Sequence, residues 1–129
     1  MKKKSIIVLT FILTGIMMIS CQPDTSEYVR HVVVFKYKPE ATEAQIKEIT
    51  DAFRELKNKV PGIVYFETGV NNSPENLNQD FTHVYLLTFE NAEARDNYLP
   101  HPEHKEFGKT LRESGIFDGV FVVDYQIEK

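Results

Sequence analysis

From His31 to Tyr37 the chain is apolar on both parities: His31, Val33, Phe35 and Tyr37 alternate with Val32 and Val34. A strand apolar on both sides is expected where helices cover one face of a sheet and a further layer covers the other. The period then changes. Thr42-Glu-Ala-Gln45 fits a capping box, and Ile46, Ile49, Phe53, Leu56 and Val60 follow at helical spacing until Pro61-Gly62 stops the run. Ile63 to Val70 reads as a second strand and Phe81 to Phe89 as a third, with the polar stretch Asn71 to Asp80, interrupted by Pro74, between them. Asn91 is placed to cap a short helix through Leu99 that Pro100 closes. Pro102 suits the first turn of another helix, with His104, Phe107 and Leu111 on one face and Gly115 at its end. Ile116 to Ile127 supplies the last strand. The order β-α-β-β-α-β predicts an α+β, ferredoxin-like fold: an antiparallel four-stranded sheet with its helices on one face. The opposite face is also apolar, and left in water it would exceed what soluble monomers tolerate. A second copy packed sheet to sheet is therefore expected.

The N-terminus follows a different rule. Lys2, Lys3 and Lys4 precede an apolar run from Ile6 to Ile19, then Ser20 and the chain's single cysteine, Cys21. The run is shorter than the roughly 20 residues a membrane-spanning helix needs, and it reads as a cleaved export signal. Met18-Ile19-Ser20-Cys21 resembles the bacterial lipobox, which implies that Cys21 is lipidated and becomes the mature N-terminus. A lone cysteine cannot form an internal disulfide, and acylation would remove the free thiol. The expected organisation is a signal peptide over residues 1–20, a lipidated cysteine with a polar tether over 21–29, and one domain over 30–127. The expected location is the cell envelope, held to a bacterial membrane by lipid alone.

Charge narrows the partners. The 129-residue chain carries a formal charge of −4, and loss of the three N-terminal lysines leaves 12 basic against 19 acidic residues, a charge of −7. That balance opposes nucleic-acid and anionic-lipid binding. Gly108-Lys109-Thr110 has the end of a phosphate loop but no earlier glycine at the needed spacing, and it sits within a helix. No cofactor is expected.

The candidate chemistry gathers in Tyr98-Leu-Pro-His101-Pro-Glu-His104. His104 shares a helical face with Phe107 and Leu111 and should point toward the sheet, where burial would favour a neutral ring able to act as a general base. The structural alternative is a histidine tied to a backbone carbonyl. His101 and His104 invite a metal reading, but Pro102 makes His101 a helix cap, Glu103 then faces the helix dipole, and two more ligands would be needed. No metal is expected.

His31-Val-Val-Val-Phe-Lys-Tyr-Lys38, Phe81-Thr-His83, Tyr98-Leu-Pro-His-Pro-Glu-His104 and Val123-Asp-Tyr125, in that order between Arg30 and Tyr125, resemble the stress-responsive α/β-barrel (Dabb) domain family. The resemblance implies a dimeric α/β barrel. In the family's polyketide cyclases a histidine and a tyrosine matching His104 and Tyr98 promote an aldol closure, the histidine as base and the tyrosine holding the carbonyl. Two further histidines match His31 and His83, expected here as pocket-lining groups. The leading expectation is a lipid-anchored homodimer whose apolar pocket holds a small apolar or aromatic molecule. A cofactor-independent cyclase-type enzyme is one alternative and a purely structural, stress-related dimer the other. A cavity faced by His104 and Tyr98 separates the first two from the third.

Overall fold

The computed structural model describes residues 27–128; the signal segment, Cys21 and most of the tether lie outside them. Four strands and three helices follow in order: β1 (Val29–Tyr37), α1 (Glu43–Lys59), β2 (Ile63–Val70), β3 (His83–Phe89), α2 (Ala92–Tyr98), α3 (Pro102–Glu113) and β4 (Phe117–Gln126). The strands form one antiparallel sheet in the order β2-β3-β1-β4, the ferredoxin-like arrangement. Among the described residues no helix is long and apolar enough to cross a membrane.

Local chemistry sets the helix ends. At α1 the Gln45 backbone N–H donates to the Thr42 hydroxyl while the Gln45 side chain accepts from the Thr42 backbone N–H, closing the capping box. Asn91 Oδ1 accepts from the Ala94 N–H at 2.8 Å to start α2. His101 Nδ1 accepts from the Glu103 N–H at 3.2 Å to start α3, where Pro102 occupies the first turn. Glu103, besides lying near that helix terminus, pairs with Lys59 at 3.0 Å and ties α3 to the end of α1. Gly62, at φ +86°, makes the turn after α1; a Cβ there would lie 2.5 Å from that of Ala94.

The sheet's helix-facing side carries the core. Val29, Val33, Phe35, Tyr85, Leu87 and Phe89 are buried there against Ile49, Phe53 and Leu56 of α1 and Phe107 and Leu111 of α3. Phe53 stacks on Phe107 at 4.5 Å between ring centroids, joining the two long helices. The other parity, Val32, Val34, Val84, Leu86, Phe121, Val123 and Tyr125, lies on the uncovered face. There Phe121 keeps 54% of its surface exposed, Val123 45% and Tyr125 49%.

The start of β3 differs from the sequence expectation by two residues. β3 begins at His83, not Phe81. Asn76, Gln79 and Asp80 adopt positive φ, and the Phe81 N–H donates to the Asn78 carbonyl in a turn, so the chain has not yet straightened at Phe81. The Phe81 ring consequently lies against Phe121 on the uncovered face instead of sharing the core side with His83, Tyr85 and Leu87.

Candidate functional site

The cavity arises because helices cover the sheet unevenly. Val120 and Val122 of the edge strand β4 register with Phe35 and Val33, so they belong to the helix-facing side, yet both stay about half exposed. Between β4 and the α2–α3 corner lies an apolar cavity of about 310 Å³. Its inner wall is built from buried His31, Val33, Phe35, Phe53, Tyr98, Phe107 and Leu111, and its rim from the exposed Leu99, Arg112, Val120 and Val122. That size and lining suit one small, mostly hydrocarbon molecule.

Three of the expected residues meet in this wall. Tyr98, the last residue of α2, is fully buried, and its ring contacts those of His104 and His31 at centroid separations of 4.2 and 5.8 Å. Its hydroxyl is buried and finds no hydrogen-bond partner among the described residues. Burial pushes the Tyr98 pKa well above the ordinary phenol value, which keeps the O–H protonated and available as a donor. Such an orphaned group costs about 1–3 kcal/mol until something accepts from it.

His104 is half-buried on the first turn of α3. Its ring turns toward the end of α2 more than down onto the sheet, and its Nδ1 lies 3.0 Å from the Leu99 carbonyl. A carbonyl only accepts, so Nδ1 carries a proton, and the nitrogen of this ring able to serve as a base is Nε2. Both features foreseen as alternatives therefore coexist: the backbone tie of a structural histidine, and a cavity beside it.

His31 is 5% exposed and donates from Nδ1 to Asp124 Oδ1 at 2.6 Å. The other carboxylate oxygen of Asp124 accepts from Arg95 of α2, which also pairs with Asp96. Burial lowers the His31 pKa; the Asp124 hydrogen bond and charge work against this, and the nearby His104 and Arg95 reinforce it. The ring thus stays neutral near pH 7, with its tautomer fixed by Asp124. Neither Asp124 nor Arg95 is singled out by sequence reasoning, although Asp124 lies within Val123-Asp-Tyr125. The available signal was parity: in the apolar β4, Asp124 shares the covered side with Val122 and Val120.

His83 does not line this cavity. It registers with Phe35, four residues along β1 from His31, a distance of roughly 13 Å at strand rise. There its Nδ1 bonds with the Thr82 hydroxyl at 2.9 Å and its ring meets Tyr37 edge-on. Tyr37, Tyr85 and Thr50 join through their hydroxyls beside it. His83 belongs to this second polar cluster, which corrects its expected place in the pocket. No group of three or more histidine, cysteine or acidic side chains is arranged to hold a metal ion among the described residues.

Comparison with known proteins extends this geometry. The Stress responsive A/B Barrel Domain (Dabb) family model matches residues 29–127. The stress-response A/B barrel domain-containing protein HS1 of Arabidopsis thaliana is 35% identical over 98 residues, 76% of this chain and 88% of its own. Olivetolic acid cyclase of Cannabis sativa is 32% identical over 101 residues, 78% of this chain and 98% of its own. Among solved structures, a hydroxynitrile lyase from Passiflora edulis superposes with a TM-score of 0.72 at 28% identity, covering 81% of this chain and 96% of its own. A dimeric ferredoxin-like protein of unknown function from Jannaschia sp. CCS1 does so at 0.65 and 28%, covering 78% and 99%.

Proposed function

The chain belongs to the stress responsive A/B barrel domain (Dabb) family, and from that premise we propose that its cavity binds a small, largely apolar carbonyl compound and moves a proton on it. The observation that carries this reading is the buried Tyr98 hydroxyl, orphaned in a cavity wall between the imidazoles of His31 and His104. A carbonyl oxygen satisfies that hydroxyl. The Nε2 of His104 then takes the proton from the neighbouring carbon: the C–H bond breaks, an N–H bond forms, and the electron pair passes onto the oxygen that Tyr98 holds. The Leu99 carbonyl on Nδ1 steadies the resulting imidazolium. His31, clamped by Asp124, positions the Tyr98 ring. A cyclase and a hydroxynitrile lyase among the similar proteins support a reading in which this scaffold acts on small organic molecules.

We place two copies of the domain face to face, because the uncovered sheet side is apolar and a similar solved protein is a dimer. Residues 1–20 act as an export signal, and Cys21 carries the lipid that holds the protein at the envelope. Intact-mass measurement of protein from its own host tests that anchor: an acyl mass lost in Cys21→Ser supports it, and an unmodified Cys21 overturns it.

Nonan-2-one in deuterated water tests the chemistry. The protein is expected to accelerate exchange of the hydrogens beside the carbonyl, and Tyr98→Phe and His104→Ala to lower that rate at least tenfold, since a positioned acid or base contributes roughly 10²–10⁴-fold. Ketone binding seen by NMR shifts at His31 and Tyr98 without accelerated exchange would reduce the reading to a binding module. Absence of those shifts would remove the site.

A further inference from the structure

Arg112 sets the charge of the cavity mouth. It is the only permanently charged residue among those that line the cavity, and no carboxylate lines it, in a chain whose acidic residues outnumber its basic ones. The remaining arginines of the described residues are engaged: Arg30 donates to the Thr88 hydroxyl, Arg54 pairs with Asp51, and Arg95 pairs with Asp96 and Asp124. Arg112 makes no ion pair among the described residues. Its guanidinium instead lies back over Gly108, one turn earlier on α3, where a Cβ would sit 3.2 Å from Nη1.

Gly108 is the second observation. A glycine inside a helix costs about 1 kcal/mol relative to alanine, and Gly108 has neither a positive φ nor a turn to justify it. What it provides is room, on the cavity wall, for the Arg112 fork. The rest of the rim is Leu99, Val120 and Val122, which offer no hydrogen bond to a polar ligand end.

We propose that the ligand is an anionic amphiphile, a compound with an apolar body in the cavity and a carboxylate at the mouth paired with Arg112, which therefore determines specificity. This rests on the pocket reading above and adds the ligand's charge to it. A guanidinium offers a carboxylate two parallel N–H donors, a geometry that lysine cannot reproduce.

The test compares nonanoate with nonan-2-one, equal in chain length and different in charge, by calorimetry on the purified full chain at pH 8. Wild type is expected to bind nonanoate about tenfold more tightly than the ketone. Arg112→Gln should bring the two together without weakening the ketone, and Arg112→Lys should keep part of the preference. Equal affinities in wild type, or a preference unchanged in Arg112→Gln, would overturn the proposal while leaving the pocket. Failure of both compounds to bind would overturn the pocket reading itself. Gly108→Ala, with the helix retained by circular dichroism, should reduce nonanoate binding alone; unaltered binding would refute the part given to Gly108.

Discussion

His31 is a histidine kept neutral by its surroundings, and this makes stability depend on pH. Burial lowers the His31 and His83 pKa values from about 6.5. Below that value the unfolded chain therefore takes up protons that the folded one refuses, so stability is full above about pH 6.5 and falls as pH drops through the folded values. Urea midpoints measured from pH 7.5 to 5.5 should decline, and His31→Gln should flatten part of the decline; a midpoint that rises on acidification would contradict the assignment. Tyr98 and His104 were legible as candidates because a tyrosine and a histidine six apart bracket a proline-broken helix junction. Asp124 was not legible as a partner of His31, because 93 residues separate them and only the β1–β4 register brings them together.

At the scale of elements, the ends marked by local chemistry were the readable ones. Thr42, Asn91 and His101 announce helices through bonds to residues two or three positions away, Pro102 opens the last of them, and Gly115, at φ +75°, follows it. β3 was misjudged by two residues because its start is set by long-range pairing: the Thr82 N–H donates to Phe35 and its carbonyl accepts from Asn71, outside any local alternation. His83 was placed in the pocket by the family resemblance. Its register with Phe35 does put it on the covered side, but four residues along β1 from His31. The cavity itself was invisible in the sequence, since it depends on α2 and α3 stopping short of β4.

At the scale of the molecule, the sheet's uncovered side is the feature most in need of a partner. Val123→Asp, in the middle of the edge strand β4, would place a charge on that face, where desolvation in a dimer is expensive. Sedimentation of the protein should show a dimer for wild type and a monomer for this variant, with the helical content unchanged; a monomeric wild type would remove the barrel. The strand order also governs when the sheet can assemble. β1 is made first but sits second from one edge, and both its neighbours, β3 and β4, come later, with Val29 facing Gln126. Contacts this distant in sequence form slowly, after long loops have closed. A chain threading N-terminus first through a translocation channel would carry β1 without a partner until β3 emerged, and without its second until β4 followed near the end. For the export proposed above, this strand order slows closure of the sheet before passage.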